Sequence, residues 1–201
     1  MRAAFALLPA VCLGIFVASA TAVTPGGLFA SFLPVRLSLN SSAPQAPASE
    51  EARALFERLK RLQGKWKGTS TKGWSDRVSI EAIAGGSVIL FDSFDAHPNE
   101  KMLTLIHFDR DRLLLTHYCA AGNQPRMRVT SISDGGSQVT FSFLDATNLP
   151  SRDTGHMDSV KFRFRDENHY TEQWSWYQKG QEQWMEEIDM ERLPDSLTGD
   201  R

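Results

Sequence analysis

Four consecutive residues, Thr116, His117, Tyr118 and Cys119, bring a hydroxyl, an imidazole, a phenol and a thiol together. In an extended chain alternate side chains share a face, so His117 and Cys119 stand with Leu113 and Leu115 on an apolar side. An imidazole in such a setting can orient a ligand or ligate a haem iron. Beside a thiol it can act as the base for a nucleophile, provided a third group orients it, and no acid in the neighbouring sequence fills that role. The alternative is a core histidine bonded to Thr104 or to water, with Cys119 a small buried residue. If Arg110-Asp111 is a two-residue hairpin, His107 pairs with Leu114 and His117 with Thr104. The two histidines then face opposite sides of the sheet. A metal needs three or more converging ligands, and this pattern predicts none.

Three further groups of residues have ligand-binding chemistry. Asn123, Gln124 and Arg126 lie in the segment AAGNQPR, where Gly122 and Asn123 suit positive φ and Pro125 restarts a strand. They read either as donors at a rim or as an ordinary solvated turn. Asn148 lies inside the longest loop, Asp145 to Gly155, and His156 follows directly after it. Long loops gate ligand sites or merely extend hairpins. Glu172, Trp174 and Trp176 share one face of a strand, and Trp184 lies on the next. A tryptophan wall suits an aromatic or lipidic ligand, or a filled core. A carboxylate beside it needs a bonding partner, with Arg128 or a ligand as the candidates. No nucleotide-binding loop, Ser–His–Asp signature, HExxH or CxxCH motif is present, and no catalytic residue is assigned.

The elements that must hold these residues are legible from periodicity. Ser49 to Leu62 reads as a helix, capped by Ser49, with Glu50 and Glu51 in its first turn and Gly64 able to end it. Its apolar positions, Ala52, Leu55, Phe56, Leu59 and Leu62, recur at helical spacing. From Gly64 the period becomes two. Ten strands follow, at 64–71, 77–83, 87–94, 102–108, 112–119, 125–132, 138–144, 157–165, 169–177 and 181–193, joined mostly by hairpin-length links. Val139, Phe141 and Phe143 alternate with polar residues, as do Val160, Phe162 and Phe164. Serial hairpins without a crossover predict an all-β fold. It is a closed antiparallel up-and-down barrel of about ten strands with one short N-terminal helix across an end.

The helix–strand junction reads LQGKWKGTS. Its Gly64-Lys65-Trp66 resembles the Gly-x-Trp signature of the calycin superfamily, which includes lipocalins, fatty-acid-binding proteins and haem-binding nitrobindin-like barrels. The resemblance implies that Trp66 plugs one barrel end, with Gly64 letting the backbone approach closely. It also introduces haem as a cofactor. Nitrobindin-like barrels carry their haem-ligating histidine near the C-terminus, whereas no histidine follows His169 here, and Ser70 stands where their opening usually has another glycine. THYCAAGNQPRM (116–127), DATN (145–148) and GHM (155–157) together resemble a group of uncharacterised bacterial lipocalin-like proteins. That resemblance spans about residues 50 to 193 and implies a fold without an established activity.

Composition narrows the partners. The 201-residue chain has 22 basic and 24 acidic residues, so it lacks the positive excess that nucleic acid requires. Residues 1–22 read as a secretory signal peptide: Arg2, an apolar run to about Val17, then small residues. The run is shorter than the roughly 20 residues of a membrane span. Cleavage would remove Cys12 and leave Cys119 without an intramolecular partner. Residues 23–48, rich in Pro, Ser and Ala in their second half, read as a flexible linker, 49–193 as the barrel, and 194–201 as a tail. These features together predict a secreted or periplasmic carrier that binds a small hydrophobic or aromatic ligand in its lumen, without membrane-spanning segments after cleavage. The alternatives are a barrel enzyme acting on a small organic molecule, through His117 with Tyr118, Cys119 or Glu172, and an interaction module with a filled core.

Overall fold

The computed structural model describes residues 49–96 and 100–194. The expected leader at 1–22, the linker at 23–48 and the tail beyond Pro194 lie outside the described residues, as do His97, Pro98 and Asn99 of one expected turn.

The helix, α1 (Glu50–Lys60), begins where its cap predicts. The Ser49 side chain accepts a hydrogen bond from the Ala52 amide at 3.1 Å, with Glu50 and Glu51 in the first turn and Arg58 and Lys60 in the last. It stops earlier than the expected Leu62. The amides of Arg61, Leu62 and Gln63 turn back onto the carbonyls of Arg58, Leu59 and Lys60, a tightening that satisfies the last carbonyls and feeds the chain into the first strand. Gly64 therefore opens that strand instead of ending the helix. Its φ is +131°, and what approaches it is a side chain and not the expected backbone: a Cβ there would lie 2.8 Å from the Arg192 guanidinium.

Ten strands follow: β1 (Gly64–Ser70), β2 (Ser75–Ile83), β3 (Val88–Ala96), β4 (Glu100–Asp109), β5 (Arg112–Tyr118), β6 (Gln124–Ser133), β7 (Gln138–Thr147), β8 (His156–Phe164), β9 (His169–Gln178) and β10 (Gln181–Arg192). Each pairs antiparallel with its chain neighbours, and β10 closes onto β1, giving the expected up-and-down barrel. Arg110-Asp111 is the two-residue link supposed from the sequence: His107 pairs with Leu114 and Thr104 with His117. Among the described residues no helix is long and apolar enough to cross a membrane.

In a meander the even-numbered strands all finish at one end, which is the end α1 covers. Leu55, Phe56, Leu59 and Leu62 are buried there in one core with Trp66, Ile80, Ile106 and Phe164. Phe56 packs on Phe108 with ring centroids 5.2 Å apart. Arg58 ties the helix to the β6–β7 link by donating to the Gly136 carbonyl at 2.8 Å, and its guanidinium lies over the Phe164 ring. Trp66 is wholly buried, 0% exposed. Its indole N–H donates to the Leu62 carbonyl at 2.7 Å, Tyr170 meets it edge-on at 4.7 Å, and Arg192 covers its ring at 4.3 Å. The polar edge of the largest side chain at this end is thus satisfied, as burial of an indole requires.

The opposite end carries the links after β1, β3, β5, β7 and β9. Register breaks lie toward it at Arg126/Met127, Met157/Ser159 and Glu182/Trp184, and another, Val129/Ser131, lies nearer the helix end. A bulge changes which side chain points inward. Along β8, Phe164, Phe162 and Val160 set a parity that would turn Asp158 inward. The break instead puts Met157 on the lumen wall, while Asp158 pairs with Arg152. Phe143 departs from expectation for a related reason. Val139 and Phe141 are fully buried. The β7–β8 pairing ends at Ser142–Ser159, and Phe143, half-buried, packs on His156 and under Arg152.

Candidate functional site

The open half of the barrel encloses a cavity of about 310 Å³. Inward positions of β2, β3, β4, β5, β8, β9 and β10 build its wall. Val78, Phe91, Met102, Phe162 and Ile188 supply apolar surface, and Trp74, Trp174, Trp176 and Trp184 supply aromatic surface. Trp176 and Trp184, paired across β9 and β10, stack with planes 2° apart and centroids 6.2 Å apart.

His117 is 4% exposed. Its Nδ1 is 2.9 Å from the Thr104 hydroxyl, the partner that the hairpin register implies. Its ring lies against Trp174 with centroids 5.0 Å apart. Burial pushes its pKa down to about 4, so the imidazole is neutral at neutral pH. Nε2 is buried and has no hydrogen-bond partner among the described residues. A buried polar atom without a partner is costly, and here it belongs to a residue on a cavity wall.

Glu172, 6% exposed, is held by neutral donors. The Tyr170 hydroxyl donates to one oxygen at 3.1 Å and the Trp174 indole to the other at 2.8 Å. The expected partner Arg128 is exposed because its parity on β6 turns it outward, opposite to buried Met127. Burial raises the Glu172 pKa to about 7; the Trp174 hydrogen bond opposes the rise, and the negative charges of Asp76 and Glu186 add to it. Tyr170 is raised in turn, by burial and then by the Glu172 charge. Asp76 and Glu186 line the same cavity and are also buried. The Ser93 hydroxyl donates to Asp76 at 2.8 Å, and the Ser70 hydroxyl donates to Glu186 at 2.7 Å.

The structure divides the ten residues singled out in the sequence into two groups. His117, Cys119, Glu172, Trp174 and Trp176 line the cavity. Asn123, Gln124, Arg126, Asn148 and His156 do not, and instead fasten the rim loops to one another. Asn123 is buried and donates to the Gly155 carbonyl at 2.9 Å. Asn148 donates to the Gly122 carbonyl, Gln124 accepts from Thr147 at 2.6 Å, and Arg126 pairs with Asp145 on the outer surface. His156 is fully buried between Phe143 and Tyr177, its Nδ1 2.6 Å from the Thr154 carbonyl. Arg152 lies over both of those rings at 4.1 Å. This latch reaches the cavity indirectly, because a Cβ on Gly155 would lie 2.4 Å from the Trp176 ring. The loop backbone therefore rests directly on a lumen tryptophan.

Asp76 and Glu186 carry much of the cavity's polar character, yet they were missed. Starting the second strand at Arg77 left Asp76 in a turn, although Asp76, Val78 and Ile80 alternate. Glu186 likewise alternates with Ile188 and Met190, a pattern that could have placed it inward.

The geometry also sorts the possible chemistries. Tyr118 is 44% exposed and lies off the lumen. Cys119 is half-buried, with its thiol pushed up by burial. His117 Nδ1 is engaged with Thr104 and Nε2 bonds nothing, so no Cys–His pair is assembled. Among the described residues no three His, Cys, Asp or Glu side chains are arranged to hold a metal ion. Haem does not fit. Thr104 does hold Nδ1 in the way that a hydrogen-bond partner orients an iron-ligating imidazole. But the cavity of about 310 Å³ is at the bottom of the small-molecule range, roughly 300–1,000 Å³. Among the described residues its lining also has no lysine or arginine to receive propionates.

The chain matches no protein-family model and no curated protein. A solved structure similar to it is that of a protein of unknown function from the DUF3598 family of Nostoc punctiforme. The two are 11% identical with a TM-score of 0.47, over 76% of this chain and 53% of that one. This chain therefore spans about half the length of that protein.

Proposed function

We propose that the barrel is a small-molecule binding protein that takes one compact ligand with an aromatic or apolar body into the open half of its lumen. The observation that carries this reading is a cavity of about 310 Å³ walled by tryptophans, beside a buried imidazole nitrogen that has no partner among the described residues. Concave, mostly apolar sites with a few polar points are the usual form of small-molecule pockets. The Trp66 plug and the meander support a calycin-like identity for the barrel. The apolar N-terminal segment supports export, which N-terminal sequencing of protein recovered from a bacterial periplasm would check by finding the chain begin near Val23.

N-Phenyl-1-naphthylamine, a neutral aromatic fluorophore, tests the site. It should bind with one-to-one stoichiometry and gain fluorescence. Val78→Phe, which fills the lumen from β2, should abolish the gain while the far-ultraviolet circular dichroism stays that of the barrel. If the probe does not bind the wild type, or binds Val78→Phe equally well, the lumen is not a ligand site and the interaction-module reading replaces this one.

A further inference from the structure

Among the described residues, the charged side chains that line the proposed lumen site are all acidic. Four acidic residues line it: Asp76, Glu172 and Glu186, all buried, and Glu100 toward the mouth. Among the described residues its lining has no lysine or arginine, and its one histidine is neutral. Glu172 is the informative member. Its two hydrogen bonds come from neutral groups, Tyr170 and Trp174, and the charges acting on it from Asp76 and Glu186 have its own sign. Tyrosine and tryptophan donors orient a carboxylate without neutralising it. Burying such a carboxylate is unfavourable unless an opposite charge comes to it.

The aromatic wall favours the same kind of partner. Trp174 donates its N–H to Glu172 and presents its ring beside His117, while Trp176 and Trp184 lie on the same cavity. Indole faces attract cations and are the best aromatic surfaces for doing so. A cavity that combines buried carboxylate with tryptophan faces discriminates against anions, including fatty acids. The unpartnered His117 Nε2 adds a separate polar point at the same wall. No group of metal ligands exists among the described residues, so a bare metal ion is not the cation indicated.

We infer that the ligand is an organic cation, an ammonium head carried on a compact apolar or aromatic body, with the head received between Glu172 and the tryptophan wall. This inference rests on the lumen being a ligand site and names the chemical class of what enters it.

The test compares phenyltrimethylammonium with its uncharged isostere tert-butylbenzene on the whole chain by calorimetry near pH 8. The two differ in charge and hardly in shape. The cation should bind at least about tenfold more tightly, and most of that advantage should vanish in Glu172→Gln. Trp176→Leu, which keeps an apolar side chain but removes a ring face, should weaken the cation more than the isostere and provides a variant in which no buried charge is altered. Equal binding of the two probes, or tighter binding of tert-butylbenzene, overturns the inference and leaves the lumen site standing. The inference also falls if neither probe binds while N-phenyl-1-naphthylamine does. If N-phenyl-1-naphthylamine also fails to bind, the lumen reading falls with it.

Discussion

The two ends of this barrel bury similar kinds of side chain for different purposes. At the helix end the Trp66 indole is satisfied by the Leu62 carbonyl and the Gly136 carbonyl by Arg58. Apolar surface from α1 fills the space between them. In the open half the lumen retains a cavity, a cluster of carboxylates and an imidazole nitrogen that no described residue bonds. Among the described residues, Asn123 and His156 of the rim latch also bury unpartnered atoms, as does Thr171 near the helix end. A fold selected only for stability would fill that space with aliphatic side chains. The contrast indicates that the helix end supplies the stability that allows the open half to remain hollow and polar.

The strongest way to break this division is at the plug. Trp66→Ala should destabilise the barrel by about 3–5 kcal/mol, as removal of other buried aromatics does, read from the denaturation midpoint in urea. The folded fraction should still bind N-phenyl-1-naphthylamine with an affinity within about threefold of the wild type, since Trp66 lies outside the cavity lining and reaches it through Tyr170, which packs on Trp66 and donates to Glu172. A variant that is stable but no longer binds would show that the two ends are not separable.

The next effect sharpens the comparison through pH. Glu172 has its pKa raised from 4.5 to about 7 on folding. Its contribution to stability is therefore fully present below pH 4.5 and lost as the pH rises through 7, a swing on the order of 3 kcal/mol. His117 has its pKa lowered from 6.5 to about 4. Its contribution is fully present above pH 6.5 and lost as the pH falls through 4, by a similar amount. Between these limits the two slopes oppose each other. Glu172→Gln removes one slope, so the stability of the wild type relative to this variant should decline by on the order of 3 kcal/mol from about pH 4 to about pH 8. Urea denaturation of ligand-free protein across that range measures the difference. A constant offset would mean that Glu172 does not change its protonation on folding in this way.

How much of this was legible in the sequence differs between the ends. The helix end follows from local rules: a serine cap, a helical stripe from Ala52 to Leu62, and a glycine two residues before a tryptophan. The barrel order follows from hairpin-length links, and the pairing of His117 with Thr104 from a single two-residue turn. The open half was harder because its side chains answer to tertiary geometry. Bulges reversed the parity near Met157, and the break in the β7–β8 pairing put Phe143 and His156 in a latch. Asn123 and Asn148 looked like donors for a ligand, but they bond the carbonyls of Gly155 and Gly122. A polar residue near a barrel mouth has the same sequence signature whether its partner is a ligand or another loop. Only the fold reveals which loop backbones lie within reach.

Arg126 gives the smallest expected effect and the sharpest test of that distinction. From the sequence it is a guanidinium at a rim, a natural donor for an incoming ligand. In the structure it lies on the outer surface, 44% exposed, and forms a fork with Asp145 of 48% exposure across β6 and β7. An exposed pair of this kind gains little over its hydrated ions, and side-chain entropy and salt reduce it further. Arg126→Ala should therefore cost at most about 1 kcal/mol in urea denaturation, and less at high salt. Because Arg126 does not line the cavity, the affinity for N-phenyl-1-naphthylamine should be unchanged. Removing a distant, solvent-screened cation can only make the mouth slightly more attractive to phenyltrimethylammonium. If the variant instead weakens cation binding severalfold, the outer rim takes part in the site, and the boundary drawn here between the latch and the lumen is in the wrong place.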